Sequence, residues 1–218
     1  MLPMKHIAIL GSGAVGDTLA NGFLKHGYTV TRGTREPAKL AAWHAGAGAR
    51  AHVGTFADAA AAGEILVLAV KGSVALEALA AAGHGNLAGK PILDATNPIA
   101  DAPPDHGVLR FFTTLDDSLM ERLQRAVPAA HFVKAFSSVG NAWMVNPDFG
   151  GARPSMFICG DDAGAKAEAT AILDQFGWDT EDMGASVAAR AIEPLCMLWC
   201  IPGMTGRGWN HAFKVLRK

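Results

Sequence analysis

The amino-acid sequence predicts an α/β fold: a doubly wound parallel sheet extended by a small C-terminal α/β and helical tail. Two observations carry this. Short apolar runs alternate with helix-patterned segments through the first half of the chain, the signature of βαβ units. The runs are also apolar throughout rather than alternating, as expected for strands covered on both faces.

The first strand is His6–Leu10, which enters a glycine-rich turn. The helix after it runs from about Ala14 to His26 and stops at Gly27, a residue that readily adopts the left-handed backbone of a helix end. A second strand covers Tyr28–Arg32, and a helix opens near Pro37, since proline's fixed φ and missing N–H suit the first helical position. Arg50–Val53 reads as a short third strand. Thr55, with Asp58 three residues on, then caps a small alanine-rich helix. Apolar runs place further strands at Ile65–Val70, Pro91–Ala95 and His131–Phe136, with Asp101–Gly107 and its two prolines as an internal loop. Beyond Pro154 come a strand at Ser155–Cys159, a helix capped by Asp161 or Asp162, and an extended segment at Trp178–Met183. A last helical region holds Val187–Ile201, breaks at Pro202-Gly203 and resumes around Trp209–Leu216.

Half of the 218 residues are hydrophobic, enough for a sizeable core, and the formal net charge of −1 excludes nucleic acid or an anionic membrane as a general partner. Apolar runs such as Ile65–Val70 and Leu195–Ile201 fall well short of the roughly 18–20 residues that span a bilayer. The N-terminus reaches its glycine-rich turn without the basic and long apolar regions of a signal peptide. Cys159, Cys196 and Cys200 lack metal-ligand spacing and read as core thiols, which fits a reducing, cytoplasmic location with no metal.

Chemistry concentrates at Gly11-Ser12-Gly13-Ala14-Val15-Gly16, a complete G-x-G-x-x-G directly after a strand and opening a helix. Gly11 permits the tight turn, Gly13 lets backbone approach a pyrophosphate, and Gly16 lets helix pack on sheet, the fingerprint of a Rossmann-type dinucleotide site. The exit of the second strand then chooses the nucleotide. Where an NAD site carries an acid for the ribose hydroxyl, this chain reads Thr31-Arg32-Gly33-Thr34-Arg35, with Lys39 beyond. Thr34, Arg35 and Lys39 suit a dianionic 2′-phosphate, so NADP(H) is the expected cofactor. Glu36 precedes Pro37 and is expected to open the helix there. Residues 1–152 are accordingly the NADP-binding core, and 153–218 an extension packed on the same domain. Ligands of open α/β sheets lie beyond the C-terminal strand ends. That rule selects Val70 and Lys71, Asn97 and Pro98, and Ser137 and Ser138. The histidines lie at strand starts, element ends or on helices, so a histidine acid/base is absent from this edge and no catalytic side chain is named.

These segments resemble the F420-dependent NADP oxidoreductases, which pass hydride between NADP(H) and the deazaflavin coenzyme F420. They are also similar to the NADPH-oxidising domain of six-transmembrane epithelial antigen metalloreductases. The resemblance spans nearly the whole chain. It rests on Gly11–Gly16, Gly33-Thr34-Arg35 with Lys39, Asp94–Pro98, Val133–Ser138, Cys159–Asp162, Asp182-Met183-Gly184, and Arg190, Glu193 and Met204. It implies that Thr34, Arg35 and Lys39 hold the 2′-phosphate, that Lys71 and Asn97 flank ribose and nicotinamide, and that a second redox partner stacks near Ser137 and Ser138. Phe136-Ser137-Ser138 stands where the metalloreductase domains read Phe-Asn-Thr, and the archaeal deazaflavin enzymes carry a histidine nearby.

The expected function is thus hydride exchange with a deazaflavin (F420-like) or flavin-type small-molecule acceptor. The alternatives are an NADP(H)-binding redox sensor without turnover, or a reductase of a small imine or hydroxy acid. Pro194, Leu195, Met197, Leu198, Trp199, Ile201, Met204 and Trp209 crowd the C-terminal region, and an exposed patch of that kind marks an interface, so a homodimer through this region is expected.

Overall fold

The computed structural model describes residues 5–218. Six parallel strands run in the order β3-β2-β1-β4-β5-β6: β1 His6–Leu10, β2 Thr29–Gly33, β3 Ala51–Gly54, β4 Ile65–Leu68, β5 Pro91–Asp94 and β6 His131–Lys134. The order reverses between β1 and β4, the switch point of a doubly wound sheet. Around it lie α1 Ala14–Lys25, α2 Ala41–Gly46, α3 Phe56–Ala62, α4 Ala75–Ala82, α5 His84–Leu87 and α6 Leu119–Ala126. A second parallel pair, β7 Ser155–Ile158 and β8 Asp179–Asp182, sits with α7 Ala163–Gln175 and α8 Ala189–Met204. An isolated antiparallel bridge from Lys134 to Cys159 joins the two sheets, and one apolar cluster runs from Ile7 and Ile9 through Val133 to Met156 and Ile172.

The predicted strands stand where expected, with edges displaced. Tyr28 belongs to the helix exit instead of β2: its N–H donates to the Phe23 carbonyl at 3.0 Å, beside Gly27 at φ 92°. The fourth, fifth and sixth apolar runs outlast their ladders because the loops beyond are themselves packed, as the buried Ala69, Ala135 and Phe136 show. Thr55 and Asp58 form the expected capping box, and Asp162 is the residue that caps α7. The α6 capping box, Ser118 with Glu121, had gone unread in the sequence.

The C-terminus departs from expectation. α8 runs unbroken through Pro202-Gly203 to Met204. The carbonyl that Pro202 leaves unmatched belongs to Leu198, whose side chain is 55% exposed, so water reaches that face. Gly203 is there for packing: a Cβ would stand 2.2 Å from the Trp209 ring. Residues 209–216 are not helical, because their backbone partners lie elsewhere. Phe213 O accepts from Ser155 N at 2.8 Å, Val215 N donates to Ser155 Oγ at 3.0 Å, and His211 O accepts from Trp199 Nε1 at 2.9 Å. Trp199 is consequently buried within its own chain, stacked on His211 and against Trp209.

Ser186–Met204, 19 residues with mean hydropathy 1.2, is long and apolar enough to cross a membrane by composition, although its longest apolar run is short. In the fold one side of it, with Ala189, Ile192, Glu193, Cys196 and Trp199, is buried against the rest of the chain and its glutamate is ion-paired, while 28% of the apolar window is enclosed. Cys159 and Cys196 are buried as expected, and burial pushes the Cys159 thiol up to about 12.

Candidate dinucleotide site

The β1–α1 turn opens the site. Gly11 takes φ +147°, and a Cβ there would lie 2.2 Å from Ala69 O. At Gly16 it would meet Gly11 O at 2.6 Å. At Gly13 it would meet no heavy atom within 4 Å, so this glycine leaves room for something outside the protein. Gly13 is the N-terminal cap of α1 and uses no side chain to answer the first-turn N–H groups, which an anion can then accept from.

A cavity of about 280 Å³ lies over this turn. It gathers Gly11, Ser12, Gly13, Thr34, Arg35, Lys39, Val70 and Lys71 from the predicted set. Ala14, Val15 and Gly16 form the first turn of α1 beneath it, Gly16 being buried. The cavity is closed by groups that sequence reasoning missed: Phe56 from α3 and Val74, Glu77, Ala78 and Ala81 from the α4 side. The alanine-rich run after Lys71, matching that before β4, was the available signal.

At the cavity's basic end, Arg35 is exposed and makes no ion pair among the described residues. Lys39 pairs with Glu36 at 2.8 Å, both largely exposed, and the lysine holds the Glu36 carboxyl below its usual range. Glu36 stands at the N-cap of the short 3-10 turn Pro37–Leu40, as expected, but its side chain makes no capping bond there. So exposed a pair is weak and screened by solvent, and an incoming dianion can take Lys39 from it. Below them Arg32 is buried, 2.7 Å from Asp17 and 4.7 Å over the Trp43 ring, and burial lowers its pKa. Lys71 pairs with Asp101 across the rim.

Asn97, Pro98, Ser137 and Ser138 lie outside this cavity and form a second group at the ends of β5 and β6. Asn97 Nδ2 donates to Ser137 O at 2.9 Å, while Asn97 Oδ1 and Ser137 Oγ are buried without a partner. Pro98 O accepts from Phe112 N at 2.9 Å, and Ser138 is buried. Just before this pair, Phe136 holds φ 61°, a left-handed backbone that costs a bulky residue about 1–3 kcal/mol and collects at functional turns.

Comparison with known proteins follows the same outline. Residues 6–98 match the family described as NADP oxidoreductase, coenzyme F420-dependent. The crystal structure of a candidate F420-dependent NADP reductase from Arthrobacter sp. FB24 is 36% identical, covers 97% of this chain and 99% of its own, and superposes with a TM-score of 0.88. The chain belongs to the F420-dependent NADP oxidoreductase family. Membership makes it an NADP-dependent oxidoreductase. Metalloreductase STEAP3 of Rattus norvegicus is 29% identical over 208 residues; they make up 93% of this chain, which spans only 39% of that protein. An imine reductase from Aspergillus terreus in complex with NADPH4 shares the fold at 22% identity and a TM-score of 0.67, across 62% of its own length.

Proposed function

We propose that this family member exchanges hydride between NADP(H) and a flat deazaflavin (F420-like) or flavin-type acceptor. The observation that carries the reading is the unpartnered pair at Asn97 and Ser137. With Nδ2 given to the Ser137 carbonyl, Asn97 Oδ1 is left as a buried acceptor and the Ser137 hydroxyl as a buried donor, both without partners in the chain. A primary carboxamide such as that of nicotinamide offers the matching donor and acceptor, and a buried polar atom left unmatched costs about 1–3 kcal/mol. Gly13 and the α1 N-terminus suit the pyrophosphate, Thr34, Arg35 and Lys39 the 2′-phosphate, and Val70 and Lys71 the ribose between them.

The bound nucleotide supplies the hydride chemistry, and the chain supplies placement. Hydride exchange between stacked rings needs geometry and exclusion of water more than proton transfer. The ionisable groups near the pair support that division: Lys71 is tied to Asp101, and Lys134 is wholly buried. Ser138 and the Phe136 turn would border the acceptor. The test is the rate of NADPH oxidation with F420, FMN, FAD, a quinone and a cyclic imine offered separately. Turnover confined to the flavin and deazaflavin arms is expected. Turnover only with the imine, or binding of NADPH without turnover on any acceptor, refutes the reading.

We also propose a homodimer through the C-terminal region. Its exposed apolar side chains are Val187, Leu198, Met204 and Trp209, whereas Trp199 belongs to the monomer's own core.

A further inference from the structure

The charged ends of two sheet strands meet a helix glutamate beneath the Asn97–Ser137 pair. Asp94 ends β5, Lys134 ends β6, and the two stand opposite each other in register. Lys134 Nζ lies 2.6 Å from Asp94 Oδ2, 2.9 Å from Glu193 Oε1 of α8, and donates to Thr96 O at 2.9 Å. The ammonium thus sits between two carboxylates and a carbonyl: the bond to Thr96 O has hydrogen-bond geometry, and Asp94 Oδ2, close as it is, meets the charge without an aligned N–H. Glu193 in turn accepts from the N–H groups of Leu119 at 2.9 Å and Met120 at 3.0 Å, at the start of α6. Asp94 Oδ1 accepts from Thr96 N at 2.9 Å and from its hydroxyl at 2.6 Å. All three charged side chains are at most 1% exposed.

The network is itself buried, yet its bonds end on the backbone that carries the unpartnered Asn97–Ser137 pair. Thr96, held by both Lys134 and Asp94, is the residue before Asn97. Lys134 lies three residues before Ser137, and the Asn97 amide closes the brace between the two loops. Gly72 packs closely against the same loop: a Cβ there would stand 2.0 Å from Asn97 O and 2.9 Å from Leu119.

We propose that Lys134, Asp94 and Glu193 act as positioning residues that preset Asn97 Oδ1 and Ser137 Oγ for the nicotinamide carboxamide, with α8 as the third anchor. The proposal rests on the reading of that pair as the nicotinamide contact. It is tested with three proteins (wild type, Glu193→Gln and Asn97→Ala) and two ligands, NADPH and adenosine 2′,5′-bisphosphate, which carries the 2′-phosphate end but no nicotinamide. Affinities come from calorimetry, and the emission of bound NADPH reports the ring's surroundings. Glu193→Gln should weaken NADPH by about tenfold, the size of one lost hydrogen bond. It should leave the bisphosphate affinity unchanged and move the bound emission toward that of free NADPH. Wild-type NADPH affinity and emission in Glu193→Gln, with a loss in Asn97→Ala, overturn the positioning role and leave the nicotinamide contact standing. Unchanged NADPH affinity in Asn97→Ala overturns the contact, and the proposal with it. Equal losses for both ligands in Glu193→Gln reduce the network to scaffolding and also overturn the proposal. If Glu193→Gln does not fold, Glu193→Asp, which keeps the charge and withdraws it by one methylene, is read by the same criteria.

Discussion

Replacing Gly13 by alanine separates ligand binding from folding in a way that no other glycine of the motif allows. The added methyl meets no protein atom within 4 Å, and the residue's φ of −80° is open to any side chain. At Gly11 and Gly16 the same methyl would run into backbone oxygens at 2.2 and 2.6 Å. For folding, restricting the unfolded chain stabilises by about 0.4–1 kcal/mol. Trading a helix-cap glycine for alanine costs about as much, since alanine is a poor cap. The melting temperature should therefore move by no more than about 2 °C in a chain of this size. For binding, the methyl stands where a pyrophosphate must approach the α1 N–H groups. Losing one hydrogen bond to a charged group, about 1.5–3 kcal/mol, weakens NADPH by about 10- to 150-fold. Thermal melting and calorimetric titration on the same preparation read both quantities. Wild-type NADPH affinity in Gly13→Ala would show that the phosphates do not pass over Gly13. A melting loss of more than about 5 °C would show that the fold itself needs the glycine.

Arg35→Ala should cost NADPH about 10- to 150-fold in affinity and leave NADH unchanged; equal losses in calorimetry would mean that Arg35 does not meet the 2′-phosphate. Leu198→Glu should convert the proposed dimer to monomer in light scattering, and a wild type already monomeric at tens of micromolar removes the assembly. Arg217 and Lys214 hold the Glu181 and Asp179 carboxyls below their usual range, so these pairs contribute fully above the ordinary carboxylate pKa and are lost as pH falls through the lowered values. The tail segment 209–218 should then lose hydrogen-exchange protection below about pH 4, ahead of the six-stranded sheet; simultaneous loss in both counts against this. Lys134→Met leaves two buried carboxylates without their cation, which costs about 3–5 kcal/mol, so the melting temperature should fall by about 6 °C or more. A melting temperature equal to wild type would refute the charge balance drawn for the network.

The parallel sheet and its glycine turn were legible because each rests on local pattern: runs of β4 type have no polar face to hide, and G-x-G-x-x-G states its own geometry. Edges were less legible, because apolarity reports burial and not pairing, and Ala135 and Phe136 are buried without belonging to β6. The tail misled because Pro202-Gly203 carries the same letters as a helix stop. Only the Trp209 ring lying on Gly203, a contact made by chain folding back, shows that the glycine serves packing. The phosphate half of the site could be read from residue types in one stretch. The α4 wall and the charged network could not, since they depend on which segments meet. Asp94 and Lys134 lie inside the two runs read as strands, and only the pairing of β5 with β6 sets their charges side by side.

Segments spread over a hundred residues of chain carry the family likeness, and the charged trio explains why they must keep company. Burying an ammonium and two carboxylates costs several kcal/mol per ion before pairing, and well-packed apolar side chains often serve stability equally well. Apolar side chains cannot answer backbone, however. Without Glu193 the Leu119 and Met120 N–H groups are unmatched, and without Lys134 the Thr96 carbonyl loses its donor. The carboxylates in turn hold Lys134 charged: burial alone would lower its pKa, and Asp94 with Glu193 raises it above its ordinary value. Apolar contact between α8 and the sheet would tolerate sliding by a fraction of a turn. Bonds that run from one glutamate to two named N–H groups, and from one lysine to one named carbonyl, do not. The directional network thus gives α8, α6 and the loop after β5 a single register, and that register is what leaves Asn97 Oδ1 and Ser137 Oγ buried with no partner in the chain.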